Sequence, residues 1–358
     1  MRDRMEPIWN GGMVYKETVA VIEEQGSCRT PLLFDAERII SVESYDGRMV
    51  YEQGKDYVLR DKKLVLTEET RIPYMSWDYL IHDTKEKAQS ELDCRSCDIG
   101  FGPVATTDSR YITLNAIDNP EYITKYQIAV TYETTEKWEG YRPASEIRKL
   151  PHLYQKLQKK EKIEIVLYGD SISCGYDCSG FYGLEPNQPI WAELLVESLR
   201  EAYGCEIVLH NVSLGGANTD WAIENVTERV GKYQPDLVIV GFGMNDRCDG
   251  EEYAGKTRQL IQEIRKTCPE AELVLIATTL PNALTATPPI YFCAKQHEYA
   301  DSLQQLKEEG IVIADVQSVQ KEMLKKKRYI DMTGNWLNHP NDYLARVQAQ
   351  VLNSVLVQ

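Results

Sequence analysis

The pattern that most constrains the fold lies in the second half of the chain, where short apolar runs alternate with helical segments. The predicted strands cover residues 163–168, 207–211, 237–241, 273–278 and 311–314. The predicted helices cover residues 190–202, 221–233, 253–267, 292–309, 316–327 and 341–357. Strands that are apolar throughout and alternate with helices are typical of a parallel sheet covered on both faces. We therefore expect an α/β domain over residues 163–358.

The first part of the chain has a different pattern, with short β-rich runs and frequent turn signals. Its predicted strands include residues 13–21, 39–42, 57–59, 64–66, 111–114 and 126–132. Turn sequences such as Asn10-Gly11-Gly12 and Asp46-Gly47 separate these runs. Many short strands with frequent turns predict an all-β sandwich or jelly roll over residues 1–149. The polar, lysine-rich residues 150–162 are the predicted linker between two domains.

Charge and composition exclude several classes of function. The 358 residues include 40 Lys+Arg and 55 Asp+Glu, for a net charge of -15. Such an acidic chain repels phosphate backbones and anionic lipid, so we expect neither a nucleic-acid nor a membrane partner. No apolar stretch reaches the roughly 18 residues of a membrane helix, and no apolar core follows the charged N-terminus as in a signal peptide.

The cysteines also bear on the cellular location and on metal binding. There are nine of them, an odd number, and they are scattered along the chain as reduced thiols would be. We therefore expect a cytoplasmic location, although a chain from which a leader had been removed would look the same. Cys94 and Cys97 form one CxxC pair without a second pair of ligands, so we expect no metal.

Candidate catalytic residues follow three of the predicted strands. The carboxyl ends of parallel strands form binding crevices. The first strand leads into Gly169-Asp170-Ser171-Ile172, the second into Ser213-Leu214-Gly215-Gly216 and the third into Gly243-Met244-Asn245-Asp246. Asn338-His339-Pro340 precedes the last predicted helix. A serine on a tight turn can present both its hydroxyl and its backbone N–H. Glycines allow close approach of a backbone N–H to a ligand, and an asparagine amide can donate a hydrogen bond.

These four blocks, in this order, resemble the SGNH (GDSL-type) hydrolase superfamily, which is named after its Ser, Gly, Asn and His. One Gly-Asp-Ser-Ile sequence would be weak evidence, but four blocks in order are a specific signal. The resemblance covers residues 163–358 and implies a flavodoxin-like three-layer fold, ester hydrolysis through an acyl-enzyme, and no cofactor. The β-rich first half also resembles that of carbohydrate esterase family two, whose acetyl esterases carry a jelly roll before the hydrolase domain.

The resemblance implies a role for each matching residue. Ser171 is the expected nucleophile, and its backbone N–H is expected to serve the oxyanion hole. Gly216 is the expected second N–H donor, with Gly215 as the alternative, and the side chain of Asn245 is the expected third donor. His339 is the expected general base, which takes the proton from Ser171 and returns it to the leaving alkoxide.

The sequence departs from the family at the residue that orients the histidine. The family usually has an aspartate three residues before the histidine, and here that position is Trp336. Asp331 could reach the imidazole from a longer loop. Alternatively, a backbone carbonyl could hold the imidazole and give a Ser–His dyad, which is our hypothesis. Asp170 is expected to brace the turn of the nucleophile rather than to act in catalysis.

We therefore expect a serine esterase that hydrolyses short-chain esters, with O-acetyl groups on a carbohydrate as the favoured substrate. This preference for small-molecule or oligosaccharide esters depends on the resemblance and on the β-rich first half. One alternative is a lipid or thioester acylhydrolase. The other is a carbohydrate-binding protein whose hydrolase domain is vestigial. The oligomeric state is not predicted.

Overall fold

The first half of the chain is mainly β-structure. The computed structural model describes residues 2–91, 103–113, 119, 121–285 and 295–358. The strands of the first half are β1 (Gly12–Ala20), β2 (Ile22–Glu24), β3 (Ser27–Arg29), β4 (Arg38–Ser44), β5 (Tyr57–Arg60), β6 (Lys63–Leu66), β7 (Met75–Ser76), β8 (Ile81–His82), β9 (Val104–Ala105), β10 (Tyr111–Ile112) and β11 (Gln127–Thr134). Its described helices are short: α1 (Arg2–Met5), α2 (Lys85–Ser90) and α3 (Glu121–Thr124).

Small and mostly antiparallel sheets organise this half. Strand β11 pairs with β1 on one side and with β4 on the other, both antiparallel. The other described sheets have the orders β8-β10-β9, β3-β2-β7 and β5-β6. The prediction of a separate β-rich first half is confirmed.

The second half alternates strands and helices as predicted. The strands are β12 (Ile163–Gly169), β13 (Ile207–Asn211), β14 (Leu237–Gly241), β15 (Glu272–Ala277) and β16 (Ile311–Asp315). The helices are α4 (Pro151–Gln158), α5 (Ser171–Cys174), α6 (Ser179–Tyr182), α7 (Trp191–Tyr203), α8 (Thr219–Arg229), α9 (Gly250–Thr267), α10 (Tyr299–Leu303), α11 (Val316–Met323) and α12 (Asp342–Leu356). Helix α4 occupies most of the predicted linker, and the domain boundaries at residues 149 and 163 stay a prediction.

The five strands of the second half form one parallel sheet in the order β13-β12-β14-β15-β16. Numbered within the domain, this is the 2-1-3-4-5 order of flavodoxin-like folds. Side chains of a strand alternate between the two faces. Ile165 and Leu167 of β12 pack with α4, α7, α11 and α12, whereas Val166 and Tyr168 pack with α8, α9 and α10. The predicted flavodoxin-like three-layer architecture is confirmed.

The carboxyl ends of three neighbouring strands bring the motif loops together. Gly169 at the end of β12 is paired in register with Gly241 at the end of β14. On the other side, Leu167 of β12 is paired with Asn211, the last residue of β13. The loops after these three strands therefore begin side by side at one edge of the sheet.

The first half packs directly against the end of the second. One buried apolar cluster joins Val19 and Tyr132 of the first half to Val347 and Leu352 of α12. Another joins strands β2 and β8 to Trp336, just before α12. The β-rich half is therefore in apolar contact with the segment that carries His339.

Among the described residues, no helix combines the length and apolar content of a membrane span. Across the same ranges, no group of three or more His, Cys, Asp or Glu side chains is placed to hold a metal ion. The cysteines that the structure describes are free thiols. Cys94 and Cys97 lie outside the described residues.

Candidate active site

The predicted nucleophile lies on a sharp turn directly after β12. Ser171 is the first residue of the one-turn helix α5 and is buried. The side chain of Asp170 caps this helix by accepting the backbone N–H of Ile172 at 3.0 Å, as N-cap aspartates commonly do. A Cβ on Gly169 would lie 2.5 Å from the carbonyl oxygen of Gly241. Only glycine therefore lets the turn approach the neighbouring strand this closely.

His339 lies in the loop before α12, and its imidazole reaches the predicted nucleophile. The distance from its Nε2 to Ser171 Oγ is 2.8 Å. Asn335 shapes this loop, because its Oδ1 accepts the backbone N–H groups of residues 337–339 at 2.9 to 3.1 Å. The hydroxyl of Thr333 donates to the carbonyl oxygen of His339 at 2.8 Å. The structure thus brings together the serine and the histidine that the sequence singled out.

The other ring nitrogen of His339 faces a carboxylate that sequence reasoning missed. Its Nδ1 lies 2.5 Å from Oδ2 of Asp177, a side chain that is only 2% exposed. Asp177 follows α5 and has a left-handed backbone with φ of 63°. A Cβ on Gly334 would lie 2.5 Å from the carbonyl oxygen of Asp177, so this glycine permits close packing of the two loops. Ser171, His339 and Asp177 therefore have the connectivity of a catalytic triad.

A buried carboxylate ties the Asp177 loop to the His339 loop. Asp342, the first residue of α12, accepts the backbone N–H of Ser179 at 2.8 Å and its hydroxyl at 2.6 Å. Burial raises the pKa of Asp342, and the two bonds from Ser179 oppose that rise. Because Ser179 lies close to Asp177 and Asp342 lies close to His339 along the chain, these bonds keep the acid next to the imidazole.

Asp331 does not contact the imidazole, and this corrects the expectation that it orients His339. Its carboxylate accepts the backbone N–H groups of Ala20 and Arg328, each at 2.8 Å, and pairs with the Arg328 guanidinium at 3.0 Å. The dyad with a backbone carbonyl is corrected as well, because the Asp177 carboxylate occupies the Nδ1 side. Trp336, at the usual place of the family's aspartate, is buried.

The residues predicted for the oxyanion hole lie in loops at the same edge of the sheet. Gly216 is exposed, and its φ of 78° favours glycine. Asn245 Nδ2 donates to the carbonyl oxygen of Ala217 at 3.0 Å, which ties its loop to the glycine loop. The oxyanion roles of Ser171, Gly216 and Asn245 stay a prediction.

Two further buried carboxylates lie beneath the site. Burial raises the pKa of Asp170 to about 7, and the charge of Asp246 adds to the rise. The N–H of Ile172 and the charge of His339 act in the opposite direction. Burial also raises the pKa of Asp246, whose carboxylate accepts the backbone N–H of Thr219 at 3.2 Å. Both carboxylates bind backbone N–H groups of the loops and so brace the site.

Aromatic side chains line the site beside the imidazole. The Tyr176 ring meets the His339 ring edge-on, with centroids 5.8 Å apart. Phe181 packs on Tyr176 at 4.7 Å and on Tyr182 at 5.0 Å, and it is 42% exposed. Leu214, in the loop of the glycine pair, is 41% exposed. Large apolar side chains exposed next to reactive groups indicate a binding surface.

The fold and the site together define a class of protein: a doubly wound α/β domain with a Ser–His–Asp arrangement at the carboxyl edge of its sheet. The sequence model of the GDSL-like Lipase/Acylhydrolase family matches residues 167–347, just over half of the 358 residues. The chain therefore belongs to the GDSL-like Lipase/Acylhydrolase family, as its four sequence blocks indicated.

Individual proteins are similar to parts of the chain. An arylesterase of Vibrio mimicus is 30% identical over 93 residues, which are 26% of this chain and 42% of that protein. The chain thus spans less than half the length of the curated relative that it matches.

Solved structures of esterases are similar as well. A two-domain esterase active on acetylated mannans has 17% identity and a TM-score of 0.48, over 60% of this chain and 54% of its own. Axe2, an acetylxylan esterase from Geobacillus stearothermophilus, has 18% identity and a TM-score of 0.42, over 53% of this chain and 92% of its own.

Proposed function

We propose that the protein is a serine esterase that acts through an acyl-Ser171 intermediate. The observation that carries this proposal is the chain of contacts from Ser171 Oγ to His339 Nε2 at 2.8 Å and from His339 Nδ1 to Asp177 at 2.5 Å. This order of groups activates a hydroxyl as a nucleophile. Membership of a lipase and acylhydrolase family supports ester substrates.

In the first half-reaction, His339 Nε2 takes the proton of Ser171 while Ser171 Oγ attacks the ester carbonyl carbon. The negative charge that develops on the carbonyl oxygen is stabilised by the N–H groups of Ser171 and Gly216 and by the amide of Asn245. When the tetrahedral intermediate collapses, the bond to the alcohol oxygen breaks. The imidazolium then gives its proton to that oxygen, and the acyl group stays on Ser171.

In the second half-reaction, His339 takes a proton from water, which attacks the acyl carbon. The bond to Ser171 Oγ breaks, the serine recovers its proton and the carboxylic acid leaves. Throughout, Asp177 accepts the Nδ1–H hydrogen bond, which selects the tautomer with a free Nε2 and stabilises the imidazolium. The low exposure of Asp177, 2%, makes this charge interaction stronger than it would be in water.

We further propose that the substrate is a short acyl ester, in particular an O-acetyl group, on a carbohydrate. Because His339 protonates the leaving oxygen, the alcohol part of the ester must lie on the side of the imidazole. That side carries Tyr176 and the exposed ring of Phe181. An exposed aromatic ring in this position can pack on the face of a sugar ring.

A lipid or thioester acylhydrolase is the second candidate. The exposed side chains of Phe181 and Leu214 favour it, since an acyl chain would cover the same apolar surface. The two candidates differ in which part of the ester the aromatic surface recognises.

The cytoplasmic location expected from the scattered cysteines stays a prediction.

The test is hydrolysis by the purified full-length chain of an acetylated oligosaccharide, a chromogenic acetate, a chromogenic octanoate and an acyl-CoA. We expect the acetyl esters to be the best substrates and Ser171→Ala to abolish all turnover. A mass increase on Ser171 after rapid quenching would reveal the acyl intermediate. Turnover that survives Ser171→Ala would refute the assignment of the nucleophile, and a preference for octanoate or acyl-CoA would favour the second candidate.

A further inference from the structure

The loop that carries His339 is bonded to the β-rich first half through a buried glutamine. We call residues 329–341 the histidine loop. Gln127, the first residue of β11, is 1% exposed. Its Nε2 donates to the carbonyl oxygens of Ile330 at 2.8 Å and Thr333 at 3.0 Å. Its Oε1 accepts the Nδ2–H of Asn341 at 3.1 Å. One side chain thus contacts the histidine loop near its start, in its middle and at its end.

Strand β1 of the first half holds the same loop. The hydroxyl of Thr18 donates to the carbonyl oxygen of Asp331 at 2.7 Å and accepts the Nδ2–H of Asn341 at 3.0 Å. The backbone N–H of Ala20 donates to the Asp331 carboxylate at 2.8 Å. The aspartate that the sequence suggested as a catalytic residue therefore anchors the histidine loop to the β-rich half.

The backbone of the histidine loop includes a residue in a strained conformation. Trp336 has φ of 59°, a left-handed conformation that is unfavourable for a bulky residue. Its ring is buried and packs on Trp77 of the first half, with centroids 5.8 Å apart. From the second half, Asn282 donates to the carbonyl oxygen of Trp336 at 2.9 Å. Contacts from outside the loop therefore stabilise a strained backbone next to the imidazole.

We propose that the β-rich half positions the catalytic histidine, and that Gln127 is a positioning residue that acts on His339 through Thr333. Thr333 accepts the bond from Gln127 with its carbonyl oxygen and donates with its hydroxyl to the carbonyl oxygen of His339 at 2.8 Å. The path from the first half to the backbone of the histidine is therefore two hydrogen bonds long. This inference rests on the proposed esterase function.

The chain offers a matched control in a second buried glutamine, Gln350 of α12. Its Nε2 donates to the carbonyl oxygens of Arg4 at 3.0 Å and Glu6 at 2.8 Å, and its Oε1 accepts the N–H of Ile8 at 3.4 Å. It too makes two donations and one acceptance between the halves, and it is 2% exposed. Its partners lie in the N-terminal segment, not in the histidine loop.

The experiment compares Gln127→Ala with Gln350→Ala in the full-length chain. Urea unfolding gives the folded fraction, a chromogenic acetate gives kcat and KM, and NMR of ring-¹⁵N-labelled histidine follows the His339 imidazole. We expect Gln127→Ala to lower kcat per folded molecule about a hundredfold with KM unchanged, because small misplacements of a reactive group have effects of that size. Its His339 resonances should shift. Gln350→Ala should lose stability but keep kcat and the His339 resonances of the wild type.

Equal kcat losses in the two variants, or unchanged His339 resonances in Gln127→Ala, would overturn the inference. If Gln127→Ala does not fold, Thr18→Val replaces it, since this near-isosteric change removes two bonds to the loop. It should lower kcat and shift the same resonances, and a wild-type result would overturn the inference. If the wild type hydrolyses no ester but the resonance shifts occur as expected, the proposed function fails and the positioning of His339 stands.

Discussion

The Asp177 carboxylate provides the sharpest test of the site, through the substitution Asp177→Asn. Asparagine keeps the shape of the side chain and removes its charge. With an effective dielectric constant of about 20, unit charges about 4 Å apart interact by about 4 kcal/mol. At 1.36 kcal/mol per factor of ten, this corresponds to about three orders of magnitude in rate. Loss of the aspartate from a catalytic triad lowers kcat by about 10⁴. We therefore expect kcat to fall by about 10³ to 10⁴.

The assay is steady-state hydrolysis of a chromogenic acetate, with Ser171→Ala as the baseline and Asp331→Asn as the control. Asp331→Asn keeps an oxygen that can accept the Ala20 N–H, so its effect on kcat should be limited to a loss of positioning, at most about a hundredfold. A kcat for Asp177→Asn within about tenfold of the wild type would refute the triad. So would a larger loss in Asp331→Asn than in Asp177→Asn, since it would return the orienting role to Asp331.

Asn245→Ala should lower kcat on the same acetate by about 10²–10³, as loss of one oxyanion donor does, and a smaller change than this would remove Asn245 from the oxyanion hole. Phe181→Ala should raise KM for an acetylated oligosaccharide but leave ethyl acetate hydrolysis unchanged, and equal effects on both esters would contradict a sugar-ring surface. The raised pKa of Asp170, about 7, means that the folded state binds this proton more tightly than the unfolded state. The stability of the wild type relative to Asp170→Asn should therefore fall by on the order of 4 kcal/mol as pH rises from about 4 to about 7. Urea unfolding at several pH values checks this, and parallel stability curves for the two proteins would contradict it.

The fold of the second half could be predicted because its alternation of apolar strands and helices is clear. Strand β14 and all of β12 except Glu164 are apolar and buried, and both strands end in glycine. The loops at those ends necessarily share one edge of a parallel sheet. That geometry brings the Ser171 turn next to the loops of Gly216 and Asn245, although they are far apart along the chain.

The sequence did not predict the role of Asp177, because the residues around it show no periodic pattern. It lies in a loop, and its approach to His339 depends on its left-handed backbone and on the bonds of Ser179 to Asp342. A search restricted to the family's usual position, here Trp336, does not find it. Its closeness to the nucleophile in sequence was the available signal.

The sequence also did not predict which strands of the first half pair with one another. Strands β1 and β11 pair along most of their length, although they are far apart in the sequence. Short strands with local turn signals predict β-structure, but they do not indicate which strands pair. The contacts of Gln127 with the histidine loop depend on that pairing and could not be read from the chain.

The apolar cluster that runs from Val19 and Tyr132 into helix α12 also affects how the protein loses its structure. Neither half can melt without uncovering the inner surface of the other, so heating should give a single cooperative transition instead of two. In evolutionary terms, the β-rich half cannot be exchanged freely like a tethered accessory module, because its replacement must rebuild the shared core.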